Sequence, residues 1–225
     1  MFRRVLVASV LSALTGVVTA ATPNAKPATK PKVPAIQSSP SLDVLGLRLG
    51  AEFTLPECPI DPALSRYVGP RYKYAHEMTG SMPCFQQGYA PKPGFVLDKS
   101  YASLEVMIDP LPAGLRQDSI DVKVIDGRIE NVSAGTYGLK SQEGLLELLT
   151  EKYGSPTTLN HSKVQNRMGA EFNQVDATWK FSDLTITFVG MGSTIDWGII
   201  EISTPKANAV AEAKREEAKA AAPKL

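Results

Sequence analysis

SIDVKVIDGRIENVS, residues 119–133, decides the fold. Two strand-like runs flank Asp126-Gly127, a residue pair suited to the positive φ angles of a tight two-residue hairpin turn. In a regular register Val124 faces Ile129 on one side of the ribbon, and Lys123 faces Glu130 on the other as an opposite-charge cross-strand pair. Val122 then falls opposite Asn131, so the apolar side weakens away from the turn and leaves room for a bulge.

Working outward, SQEGLLELLTEKYGSP (141–156) reads as a helix. Ser141 stands where an N-cap belongs, Leu145, Leu146, Leu148, Leu149 and Tyr153 form its apolar face, and Gly154 followed by Pro156 ends it. A polar loop through His161 is expected next. In VDATWKFSDLTITFVGMG (175–192), Val175, Ala177, Trp179 and Phe181 alternate with polar residues, as do Leu184, Ile186 and Phe188. Folding this run at Ser182-Asp183 sets Trp179 opposite Ile186 and Ala177 opposite Phe188, a half-buried antiparallel hairpin. GIIEIST (198–204) and SLEVMI (103–108) supply further strands. The order is β-β-β-α-β-β-β. The class is α+β: an antiparallel sheet of about five to six strands, one main helix packed on one face, and an irregular region ahead of it over 50–100.

The ends have a different composition. Residues 1–20 carry Arg3 and Arg4, an apolar run and Val18-Thr19-Ala20, the layout of a cleavable secretory signal. Residues 21–41 are a linker with five prolines and three lysines, too poor in apolar residues to offset the entropy of ordering. Residues 42–205 form the single α+β domain. From 206 to 225 the chain is rich in Ala, Lys and Glu and reads as a disordered tail or frayed helix. Nothing after the signal is long and apolar enough to span a membrane. The segment 42–205 holds 14 Lys and Arg against 20 Asp and Glu, a net charge of −6, which argues against nucleic acid as a partner.

Cys58 and Cys84 are the only cysteines. Their spacing is not the Cys-x-x-Cys of a redox motif, and with only His76 and His161 the chain offers no metal-binding pattern. In an oxidising compartment two such thiols pair. Closing that loop stabilises the fold by roughly 3 kcal/mol on a chain-entropy account. The expectation is a structural disulfide.

No catalytic, cofactor or metal signature is present. Asp176, Asp183, Asp196 and Glu201 are read as solvated carboxylates, GMGS (190–193) as a turn between strands, and Asn131 and Asn160 as chance glycosylation sequons. One stretch has binding chemistry: SRYVGPRYKYAH (65–76) interleaves tyrosines with cations inside the stapled loop. Tyr67, Arg71, Tyr72 and Tyr74 are its candidate partner-binding residues, since Tyr and Arg anchor binding surfaces.

LGLRLG at the start of the domain, LPECP around the first cysteine, and DGRIENVS ahead of LLTEKYGSP resemble small uncharacterised exported proteins of proteobacteria. The resemblance implies a periplasmic, non-lipidated protein and supplies no active residues. The expected function is a soluble periplasmic binding or adaptor module without cofactor, its partner an envelope protein or polymer. The alternatives are a proteinaceous inhibitor of an envelope-targeting hydrolase and an enzyme whose site lacks any motif.

Overall fold

Asp126 and Gly127 both adopt positive φ, 49° and 74°, and close the expected two-residue turn between β5 (Ser119–Ile125) and β6 (Arg128–Thr136). Val124 faces Ile129 as expected. The register then shifts between Lys123 and Val124, so that Lys123 faces Asn131 and Val122 faces Val132. The expected Lys123–Glu130 and Val122–Asn131 pairs are therefore corrected. The bulge takes up Glu130 and keeps an aliphatic residue opposite Val122. Lys123 instead pairs with Glu201, at 3.3 Å.

The computed structural model describes residues 42–63, 66, 69–78, 80–88, 90–92, 94–116, 119–165 and 168–222. The expected signal, the linker and Tyr67 lie outside the described residues.

The sheet has eight strands, more than the five to six expected. Besides β5 and β6 these are β3 (Cys84–Gln86), β4 (Tyr101–Met107), β7 (Thr158–Gln165), β8 (Glu171–Lys180), β9 (Thr185–Val189) and β10 (Gly198–Ser203). Their order is β3-β4-β5-β6-β10-β9-β8-β7, with every neighbouring pair antiparallel. Two four-strand meanders thus meet through their last strands, β6 and β10, and a helix follows each. The expected polar loop through His161 is instead strand β7. It lies at the sheet edge, exposed along almost its whole length, so burial imposes no alternation on its side chains. A second, small sheet pairs β1 (Asp43–Val44) with β2 (Leu47–Arg48).

Alternation gives the large sheet two chemically different faces. One apolar row runs Leu104, Val122, Val132, Ile202, Ile186, Trp179 across β4, β5, β6, β10, β9 and β8. Beside it Ala134, Ile200, Phe188, Ala177 and Leu159 form another. The reverse face carries Glu105, Asp121, Ser133, Glu201, Thr187, Thr178 and Thr158 in register. The hairpin at Ser182-Asp183 has the expected pairs, Trp179 with Ile186 and Ala177 with Phe188.

Helix α1 (Gln142–Tyr153) covers the apolar face through Leu145, Leu149 and Tyr153, while Leu148 is 49 % exposed. Ser141 occupies the cap position but makes no capping hydrogen bond; its hydroxyl reaches back to the Gly138 carbonyl at 3.4 Å. Gly154 ends the helix at φ 78°, as expected. The last segment is more ordered than its composition implies. Helix α2 (Pro205–Ala221) begins on Thr204, whose hydroxyl accepts the Ala207 N–H at 3.3 Å and donates to the Glu130 carboxylate. Lys206 pairs with Asp126 at 2.6 Å, and Lys214 lies over the Tyr101 ring at 3.1 Å. The helix is anchored by its first turns and exposed from residue 211 onward.

Cys58 and Cys84 are bonded. With Tyr72, Met78 and Met107 they form a second, smaller core.

Candidate functional site

The position of α1 is set by hydrogen bonds at both its ends, and both go to β8. At the start, buried Gln142 donates to the Asn173 carbonyl at 2.7 Å and accepts the Val175 N–H at 3.2 Å. At the other end Trp179 Nε1 donates to the carbonyl of Gly154, at 2.7 Å. The helix is therefore pinned over the second meander. Its other flank faces the seam between β6 and β10, where the sheet presents medium and small side chains.

A cavity of about 500 Å³ lies along that flank. Leu145, Leu148 and Leu149 of α1 line one side of it. Val132 and Ala134 of β6 and Ile200 and Ile202 of β10 line the sheet side. Val44 and Leu45 from the β1–β2 hairpin, with Pro112 and Leu115 from the loop before β5, complete its apolar walls. The charged members of the lining are Glu151 and Lys152. The Lys152 ammonium donates to the Asp43 carbonyl at 3.2 Å, tying the C-terminal turn of α1 to β1. This size and lining match the usual small-molecule pocket, concave and largely apolar with a few polar groups. A broader groove on the opposite flank of α1 is lined by Glu143, Glu147 and Glu151 with His161 and Asn173, over Leu146 and Val175.

Of the four candidate partner-binding residues Tyr67 lies outside the described residues, and the other three differ in exposure. Tyr72 is buried, 7 % exposed, and packs in the disulfide core. Its hydroxyl donates to Glu57 at 2.6 Å and accepts the Gln87 N–H at 3.2 Å. Burial first and the Glu57 bond second push its pKa up to about 12. Tyr74 points outward, 60 % exposed, with its ring stacked on His76 at 5.8 Å. Arg71 is partly buried and its guanidinium contacts the Pro70 carbonyl.

The carboxylates noted in the sequence are dispersed. Asp176 accepts from Gln174 at 2.9 and 3.0 Å, Glu201 accepts from Asn131 at 2.8 Å, and Asp196 lies in the β9–β10 loop. Asn131, one of the sequon asparagines, is only 1 % exposed, whereas Asn160 is exposed on β7. GMGS is a turn, as expected, with the Gly192 N–H donating to the Trp197 carbonyl at 2.6 Å. Among the described residues no group of three His, Cys, Asp or Glu is placed to hold a metal ion. No helix among them is long and apolar enough to cross a membrane.

The cavity was not among the sequence-derived candidates. Its aliphatic lining is legible as core, but the space depends on α1 being tied to β8 through Gln142 and Gly154. Comparison of the chain with family models, curated proteins and solved structures gives no match, so its own geometry is the basis for a functional reading.

Proposed function

We propose that the chain is an exported, non-catalytic binding module of the bacterial cell envelope, and that its receptive element is the apolar cavity between α1 and the β6–β10 seam. The single observation that carries this reading is a concave space of about 500 Å³ whose lining is aliphatic apart from Pro112, Tyr153, Glu151 and Lys152. Aliphatic walls reward the burial of an unbranched hydrocarbon chain, each methylene contributing about 0.8 kcal/mol. The Lys152 ammonium stands where an anionic end group on such a chain would be stabilised. The N-terminal signal pattern and the Cys58–Cys84 bond support a periplasmic setting. The inhibitor alternative has less support, because Tyr72 belongs to the disulfide core rather than to the loop surface.

Calorimetric titration of the exported protein with octanoate, decanoate and dodecanoate tests the reading. We expect saturable binding that tightens about fourfold per methylene, from roughly 0.8 kcal/mol each, with a negative heat-capacity change. Ala134→Leu, which fills the sheet side of the cavity, should abolish binding while leaving the melting temperature within a few degrees. Affinity independent of chain length, or full binding by Ala134→Leu, would overturn it.

A further inference from the structure

A second feature lies at the sheet end where the β9–β10 loop, the β6–α1 connection and the loop before β5 converge. Backbone bonds hold the three together: Leu139 N–H to the Ile195 carbonyl at 2.8 Å, Arg116 N–H to Gly135 at 2.9 Å, and Tyr137 N–H to Gly114 at 3.3 Å. Trp197 stands among them. The protein has two tryptophans, and they are treated differently. Trp179 is 1 % exposed and its indole N–H is satisfied by Gly154. Trp197 is partly exposed, and its Nε1 makes no hydrogen bond among the described residues.

Three glycines fix that indole. A Cβ on Gly192 would fall 2.3 Å from Trp197 Cε3, and one on Gly135 would fall 3.6 Å from Nε1. The ring therefore spans two positions where the chain has no side chain. A Cβ on Gly138 would strike the Trp197 backbone nitrogen at 2.6 Å, so the main chain under the ring is fixed as well. An aromatic held this way loses little freedom when something stacks on it.

The groups around the ring are polar. Arg116 and Lys140 are exposed, and neither forms an ion pair among the described residues. Asp196 is exposed beside them; the Thr194 hydroxyl chiefly, then its own N–H, and more weakly Arg116 and Lys140 hold its pKa below the usual value. Tyr137 is 47 % exposed. Among the described residues, Arg116 and Lys140 against Asp196 leave an excess of one positive charge here, on a domain that is net acidic.

We infer that Trp197, Arg116 and Lys140 form a binding site for an anionic saccharide. The indole takes the C–H face of a sugar ring, Arg116 and Lys140 take its carboxylate, and Asp196 and the indole N–H take hydroxyl groups. The residues of the patch are one indole and charged or polar side chains, not the aliphatic centre of a stable protein interface. Two cations close enough to act on Asp196, the residue before the indole, match a ring with a single charge, and a densely charged polyanion would meet repulsion from the rest of the domain. This site is separate from the apolar cavity and does not depend on it.

Three small probes test the inference against the full chain, with tryptophan emission as the readout: trigalacturonate, neutral maltotriose and inorganic tripolyphosphate. Because Trp179 is sealed in the core, a change in emission reports Trp197. We expect trigalacturonate to shift the emission saturably, maltotriose to bind at least tenfold more weakly, and tripolyphosphate to give no shift. Arg116→Gln with Lys140→Gln, both at exposed positions, should weaken trigalacturonate about tenfold or more. Trp197→Ala, followed by calorimetry, should abolish its binding. Equal binding of tripolyphosphate would reduce the patch to an unspecific anion contact and overturn the inference. So would trigalacturonate affinity unchanged in the Arg116/Lys140 double variant, a result that places binding on the basic ends of the chain.

Discussion

Leu148 and Leu149 are neighbours on α1 and differ in what surrounds them: Leu149 is 8 % exposed and Leu148 49 %. Truncating either to alanine removes three carbons, worth about 2.4 kcal/mol of transfer free energy at roughly 0.8 kcal/mol per buried methylene. Leu149 is buried enough to lose nearly all of it. A sealed core site would add a cavity penalty of about 24 cal/mol per Å³. Leu149 already lines the cavity of about 500 Å³, so truncation enlarges an existing space, that penalty is small and about 2.5–3 kcal/mol is expected. Leu148 should lose about half of the transfer term, roughly 1.2 kcal/mol. With a urea slope near 2 kcal/mol/M, the midpoints should fall by about 1.3 M and 0.6 M respectively. Urea unfolding followed by far-UV circular dichroism measures both. Leu148→Ala should also weaken dodecanoate by more than its stability loss suggests, since half of that side chain is available to ligand. Equal midpoint shifts for the two variants would refute the assignment of faces on which the cavity rests.

Tyr72→Ala should destabilise strongly, by about 3 kcal/mol as for other buried aromatics, whereas Tyr74→Ala should stay within about 0.5 kcal/mol; similar melting temperatures for the two would contradict the placement of Tyr72 in the disulfide core. The Asp121 carboxyl is held above its usual pKa, first by partial desolvation on the sheet and second by Glu105 facing it across β4–β5, with Lys123 opposing. The folded state then keeps a proton that the unfolded state has released, so stability declines as pH rises from about 4, the ordinary carboxylate range, through the raised value. Asp121→Asn should flatten that decline and raise the urea midpoint at neutral pH, with no gain at pH 3, where the carboxyl is protonated in both states; a midpoint unchanged at neutral pH would refute it.

How much of this was legible in the sequence depended on whether one buried face was present to impose a period. Trp179, Ile186, Ala177 and Phe188 alternate because one side of their hairpin is sealed, and their register follows from the two-residue period alone. Thr158–Gln165 has the same backbone but no sealed side, and it read as loop. Composition left the C-terminal segment open between a disordered tail and a frayed helix for a related reason, and the segment is helical over Pro205–Ala221. Its Ala, Lys and Glu give no apolar stripe, yet one capping threonine, Pro205 and the docking of Ala207 against the sheet are enough to start a helix. The bulge at Lys123/Val124 was foreshadowed by Asn131 falling opposite Val122, a polar residue in a row that the core needs apolar.

The two features proposed to bind ligands were illegible for a different reason. Neither is encoded by its own residues in a way that distinguishes function from packing. Leu149, Val132 and Ile202 are core residues by any pattern, and a cavity exists among them because Gln142 and Trp179 bond α1 to β8. Trp197 lies 57 residues from Lys140 and 81 from Arg116 in the chain, and the glycines around it come from β6 and two separate connections. A glycine followed at a short distance by tryptophan, as in GMGSTIDWG, is a local trace of such a bed, but it does not say which cations arrive beside the ring. Strand pairing supplies them: β6 delivers Gly135 and leads into Lys140, and the loop before β5 places Arg116 on Gly135 through a backbone bond. The same seam, β6 against β10, thus presents Ala134 to the apolar cavity and Gly135 to the indole, because adjacent residues of a strand face opposite sides of the sheet. A one-residue slip of that register would exchange the two and remove both sites together.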